Sequence, residues 1–95
     1  MQIIWLKIAL KNLDELAEYI SQENPQAARQ MLESIEMQVN LLATHPALGR
    51  PGRVLGTREL MISNTHYLVP YRIKNNTVEI LRVSHTSRRP PKDWG

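Results

Sequence analysis

Two adjacent asparagines, Asn75 and Asn76, constrain this chain more than any other feature. They stand between "HYLVPYRI" and "TVEILRV", two runs rich in β-branched and aromatic residues. Asparagine tolerates the positive φ that a two-residue hairpin turn demands. A hairpin closed there pairs Lys74 with Thr77, so that Arg72 faces Glu79, Tyr71 faces Ile80, Val69 faces Arg82 and His66 faces His85. Side chains alternate across the two faces. Tyr67, Val69, Tyr71, Val78, Ile80 and Arg82 then share one face, and Leu68, Pro70, Arg72, Glu79, Leu81 and His85 the other. Pro70 has no N–H to give a ladder, so an edge or a bulge is expected beside it.

A hairpin needs a surface to cover, and the first half of the chain supplies it. "QIIWL" at 2–6 reads as a short strand with Trp5 as a large anchor. Leu13, Leu16, Ala17 and Ile20 then fall on one helical stripe. "SQENP" interrupts it, and Asn24 before Pro25 is an N-cap followed by proline at the first helical position. A second stripe runs through Ala28, Met31, Leu32, Ile35, Val39 and Leu42 until "THP" stops it. Neither helix is stable alone, so both stripes must bury against the strands. "PALGRPGRVLG" at 46–56 is a loop, and "TRELMI" is a further strand. The expected fold is α+β, in the order β-α-α-β-β-β, with a helical hairpin packed on a small antiparallel sheet.

Ninety-five residues fit one domain, 1–95, of ordinary globular composition. With no cysteine, disulfides, thiolate metal sites and thiol catalysis are excluded. "MQIIWLKIAL" lacks the basic region and small-residue cleavage site of a signal peptide. No run reaches the ~18 apolar residues of a membrane helix. A cytoplasmic chain without membrane contact is expected. Charge is divided unevenly: residues 1–49 carry three basic and six acidic side chains, and residues 50–95 carry nine and three, so the halves are −3 and +6. The positive half points to an anionic partner, either nucleic acid or an acidic protein.

The chemistry gathers at the end of the last strand, where "RVSHTSRR" brings Arg82, Ser84, His85, Arg88 and Arg89 together. His45, His66 and His85 lack metal-ligand spacing, no glycine-rich loop opens a helix, and no serine–histidine–acid arrangement can be read; neither metal nor cofactor is expected. A histidine near neutrality can move the proton of a ribose hydroxyl, and an arginine can hold a scissile phosphate, so metal-free RNA cleavage is chemically open. His85 also reads as a structural histidine closing the sheet, which composition favours. Arg72 has Glu79 as partner. Arg82 has none in this register, which makes it the first functional candidate. Glu59 reads as a surface charge beside Arg58, with general base as the alternative. Trp5, Tyr67 and Tyr71 are able to stack on bases, although aromatic side chains in so small a chain usually fill the core.

The element order, with "ATHPALGRPGRV", "GTRELMI", "YLVPYRI" and "VEILRVSHTSRR", resembles the toxins of the RelE/ParE superfamily of bacterial type II toxin–antitoxin modules. The resemblance covers essentially the whole chain. It implies a small basic toxin neutralised by a co-expressed antitoxin, with operator DNA reached only through that antitoxin. RelE-like members cut mRNA on the ribosome without a metal, whereas ParE-like members poison DNA gyrase; fold does not separate them. The nucleases typically carry an arginine just before the penultimate strand's "LVY"-like segment, where this chain has Tyr67 and Leu68, and a tyrosine after the last strand, which is absent. The wording is closer to the ParE-like branch.

Three readings follow from the resemblance. The first is a gyrase inhibitor that binds its target through Arg82, His85, Arg88 and Arg89. The second is a ribosome-dependent mRNA interferase with His85, Arg82 and Arg58 as catalytic residues. The third is a degenerate toxin kept for antitoxin binding and operon autoregulation.

Overall fold

The computed structural model describes all 95 residues. Strand β1 spans Gln2–Trp5, helix α1 Lys7–Ser21 and helix α2 Pro25–Asn40, which runs into one 3-10 turn at Leu41–Ala43. Strands β2 (Arg50–Pro51), β3 (Arg58–Met61), β4 (Tyr67–Lys74), β5 (Thr77–Ile80) and β6 (Ser84–His85) complete the chain. The helical hairpin closes as its sequence dictates: Asn24 is extended, and its Oδ1 accepts the Ala27 N–H at 3.0 Å. This satisfies one of the donors that every helix start leaves orphaned.

The sheet order is β1-β5-β4-β3-β2, with β6 pairing β4 beyond the end of β5. The fold is the expected α+β arrangement of two helices on a sheet, but the sheet is mixed. β1 lies parallel to β5, with Gln2 opposite Thr77 and Trp5 opposite Ile80. A long connection, through both helices and three strands, separates β1 from β5, as a parallel pairing requires. Both stripes meet the sheet in one core. Leu13 and Leu16 of α1 and Ile35 and Val39 of α2 pack with Leu60, Val69, Tyr71, Val78 and Ile80. Each such aliphatic side chain stabilises the fold by roughly 1.5–3 kcal/mol.

The Asn75–Asn76 turn holds, with φ of 53° and 58°, and sets Lys74 opposite Thr77 and Arg72 opposite Glu79. Arg72 Nε donates to Glu79 Oε1 at 2.6 Å. The register then breaks beside Pro70. Leu81 still donates to the Pro70 carbonyl at 2.9 Å, but proline cannot return the bond, which leaves the Leu81 carbonyl free. Two residues later Leu68 faces Ser84 and Tyr67 faces His85. Arg82 and Val83 together therefore stand opposite Val69, which is a β-bulge.

The bulge overturns two expected pairs, Val69 with Arg82 and His66 with His85. One extra residue moves every later side chain to the other face. Val83 takes the core position that Arg82 was expected to hold, and His85 crosses to the face of Tyr67. The N–H of Val83 is satisfied from outside the sheet, by Asn12 Oδ1 of α1 at 3.2 Å.

Candidate functional site

His85 lies at the end of the shortened last strand, half-buried, with its ring edge-on to Tyr67 at 5.2 Å and stacked on His66 at 5.9 Å. Its Nδ1 accepts the Ser87 N–H at 3.1 Å and lies 2.8 Å from Ser87 Oγ. A backbone N–H can only donate, so the neutral ring carries its proton on Nε2. Because the bulge turned His85 toward α1, the residue lines a groove of about 680 Å³ between α1 and the last strand. Asn12, Glu15 and Tyr19 form one wall; Tyr67, His85 and Arg88 form the other. Tyr19 is 71% exposed and caps an aromatic margin.

Arg82 stands outside this groove. Its Nη1 donates to the Leu81 carbonyl at 2.6 Å, the acceptor that Pro70 left without a donor, and its Nη2 donates to the Trp94 carbonyl. The arginine without a partner in the expected register is thus a repair of the bulge and an anchor for the C-terminal segment. Trp94 buries its indole N–H there without a partner. Nothing read in the sequence pointed to Trp94. Asn12 was also missed, and its only signal was a mid-helix amide on the margin of an apolar stripe.

Arg58 is likewise engaged, its Nη1 donating to the Gly49 carbonyl at 2.8 Å. It faces Tyr71, whereas His85 faces Tyr67, and the two flank β4 on opposite sides. Four strand residues separate those levels by roughly 13 Å. His85, Arg82 and Arg58 are therefore not gathered around one point.

Glu59 is fully buried, contrary to the expected surface charge. Its Oε1 accepts Arg50 Nη2 at 2.9 Å, and its Oε2 accepts the Arg53 N–H at 3.1 Å and Arg53 Nε at 3.0 Å. Burial alone would raise its pKa. The Arg53 N–H and the Arg50 and Arg53 guanidinium groups outweigh that and hold the carboxyl below its ordinary value. It is a structural counter-ion rather than a base. Tyr71 is a core residue that cannot stack on a base: its hydroxyl donates to the Pro46 carbonyl at 2.6 Å and accepts the Gly49 N–H at 2.9 Å. Burial pushes that hydroxyl above the usual phenol pKa, with the Gly49 N–H and the Arg58 charge opposing.

Sorting the nine cations of residues 50–95 by partner leaves a short remainder. Arg50, Arg53 and Arg72 pair with carboxylates, and Arg58 and Arg82 bind carbonyls. Arg88, Arg89 and Lys92 are exposed on the tail, and Lys74 on the hairpin turn. No three histidine, aspartate or glutamate side chains gather closely enough to hold a metal ion, and no helix is long and apolar enough to cross a membrane.

Comparison with known proteins places the fold in a family. Residues 3–90 match the sequence model of the family described as the ParE toxin of the type II toxin–antitoxin system parDE. Y4kP of Sinorhizobium fredii is 43% identical over 91 residues, covering 96% of this chain and 94% of that protein. Toxin RelE2 of Caulobacter vibrioides is 31% identical over 87 residues, covering 92% and 97%. A chain of the solved chromosomal ParDE TA system from P. aeruginosa superposes with a TM-score of 0.80 at 28% identity, over 90% of this chain and 95% of that one. The chain belongs to the ParE toxin family and is the toxin of a type II toxin–antitoxin system.

Proposed function

We propose that the toxin acts in the cytoplasm as a single domain that inhibits DNA gyrase by binding, without a chemical step of its own, and that a cognate antitoxin neutralises it. The carrying observation is the division of its arginines. Arg82 and Arg58, the two that a phosphate-cleaving site would need, donate to backbone carbonyls, whereas Arg88 and Arg89 have neither acid nor carbonyl partner. An arginine occupied by the fold is poorly placed to follow charge developing on a phosphate. An exposed pair beyond the last strand is suited to docking on a macromolecule. His85 supports this reading as a packing residue, with Nδ1 taken by Ser87 and its ring stacked on His66 and edge-on to Tyr67. The membership of a family named for parDE supports it independently.

Target binding then rests on Arg88 and Arg89, with His85 shaping the groove beside them and Arg82 fixing the tail that presents them. The test is expression in growing cells without antitoxin. Filamentation and a DNA-damage response with continuing protein synthesis are expected, and Arg88→Ala/Arg89→Ala should relieve both. An immediate arrest of translation with mRNA cleavage, lost in His85→Ala, would instead establish the interferase. Unimpaired growth would establish a degenerate toxin.

A further inference from the structure

Glu15 and Arg88 line the same α1 groove from opposite walls and do not meet. Their charges are complementary, yet neither belongs to an ion pair. Other polar groups of the groove are only partly engaged. Asn12 gives its Oδ1 to the Val83 N–H at 3.2 Å, so its NH2 keeps two donors. His85 turns Nδ1 to Ser87, so the proton on Nε2 is left to donate. The groove thus holds an unpaired carboxylate, an unpaired guanidinium and unused donors.

These groups are arranged in order. Asn12, Glu15 and Tyr19 fall at i, i+3 and i+7, on one face of α1. Leu16 and Val83 are buried between the walls. Tyr67 and His85, edge-on at 5.2 Å, and the exposed Tyr19 give the groove aromatic sides. Beyond Arg88 the positive wall continues along the exposed tail with Arg89 and Lys92. The volume of about 680 Å³ lies within the roughly 300–1,000 Å³ of small-ligand sites.

A ligand matching this set needs a flat ring, adjacent N–H donors for Glu15, an acceptor for Asn12 and an anion for Arg88. Guanine nucleotides carry all four. The guanine N1–H and N2 amine lie side by side and suit one carboxylate, O6 accepts beside them, and the phosphate is the anion. Adenine and cytosine set a ring-nitrogen acceptor next to the amine, which opposes a carboxylate. Thymine has a single N–H between two carbonyls. A peptide arginine also pairs with a carboxylate, but it carries a cation toward Arg88, Arg89 and Lys92 and is disfavoured on that ground. We propose that the α1 groove binds a guanine nucleotide, with the base edge on Glu15 and Asn12 and the phosphate on Arg88 and the His85 Nε2–H. The aromatic sides supply stacking, as in other sites that read an unpaired base. A free nucleotide and an unpaired guanine in a strand present the same chemistry. The site shares Arg88 with the target surface but is otherwise independent of gyrase.

The test is titration of the purified full-length toxin, without gyrase, with GMP and AMP, followed by amide chemical shifts. GMP should saturate, move the signals of Asn12, Glu15 and His85, and bind at least about tenfold more tightly than AMP. Glu15→Gln, at an exposed position, exchanges one acceptor for a donor and should abolish that preference. Arg88→Ala should weaken GMP and AMP by the same factor, because it touches only the phosphate. A second arm measures fluorescence polarisation of a thymine oligonucleotide with and without one guanine. Saturation by GMP alone supports a free nucleotide, and saturation by the guanine oligonucleotide alone supports a strand; either upholds the proposal. No saturation by either, equal affinity for GMP and AMP, or a guanine preference that survives Glu15→Gln overturns it. Tighter binding of a peptide that pairs arginine with aspartate also overturns it, by naming a protein segment as occupant. Each of these failures leaves gyrase inhibition standing, since the titration contains no gyrase.

Discussion

Replacing Glu59 with glutamine is expected to cost this fold about 2–3 kcal/mol at neutral pH. The carboxylate has no exposed surface and accepts bonds from two guanidinium groups and one backbone N–H. Glutamine keeps one acceptor but turns an NH2 donor toward groups that can only donate. Each charged contact contributes about 1.5–3 kcal/mol when it is dry. Arg50 and Arg53 are 54% and 37% exposed, so water recovers part of that loss. The Arg53 N–H, in a part-buried contact, loses its charged acceptor as well. Urea denaturation should show a lower midpoint with an unchanged slope, and the melting temperature should fall by roughly 10–20 °C for a domain of this size. The pH dependence gives a second reading. The folded pKa is depressed below the ordinary value of 4.5, so the stabilisation is present above that value and is lost as pH falls through the folded one. The two proteins should therefore converge on acidification. A difference under about 0.5 kcal/mol at neutral pH, or one that does not shrink in acid, would refute the assignment of Glu59 as a buried counter-ion.

Three further perturbations probe other parts of the fold. Tyr71→Phe orphans the Gly49 N–H and the Pro46 carbonyl, and thermal unfolding should show a loss of about 2–4 kcal/mol. Gly49→Ala places a Cβ 2.6 Å from Tyr71 Cε1, which a packed ring cannot yield to, so the variant should be destabilised or insoluble when expressed beside wild type. Asn24→Ala removes the α2 cap and should cost about 1 kcal/mol in urea titration, with the ligand-free fold unchanged by circular dichroism.

An element of this fold is legible in the sequence where a local signal decides it and hidden where a distant partner does. The two helices, the Asn24 cap, the Asn75–Asn76 turn and the Arg72–Glu79 pair are all local, and each was legible from spacing. An edge or a bulge beside Pro70 was legible, but the choice of the extra residue and its consequence were not. Which residue becomes the extra one depends on Asn12 accepting the Val83 N–H from a helix 71 positions away. That single slip moved His85 to the other face and exchanged Arg82 for Val83 in the core. Glu59 was misread for the same reason, since its two arginines reach it only when the loop after Gly49 folds over β3. The direction of β1 was equally invisible, because a strand of four residues carries no mark of its partner. In the segment after β5 the local pattern located the charged residues but not the partners they would take. Arg82 was chosen because it lacked an acid, and the structure gives it carbonyls instead.

Binding to gyrase, through the exposed cations of the tail, is the toxic action proposed for this chain. It is tested most directly by incubating the purified toxin with DNA gyrase and plasmid, then measuring supercoiling and trapped DNA cleavage. Translation in a purified cell-free system, with mRNA 5′ ends mapped, serves as the parallel arm. Loss of supercoiling is expected with wild type, recovery with Arg88→Glu/Arg89→Glu, and intact mRNA in the parallel arm. Undisturbed gyrase together with ribosome-dependent mRNA cuts that vanish in His85→Ala would contradict it.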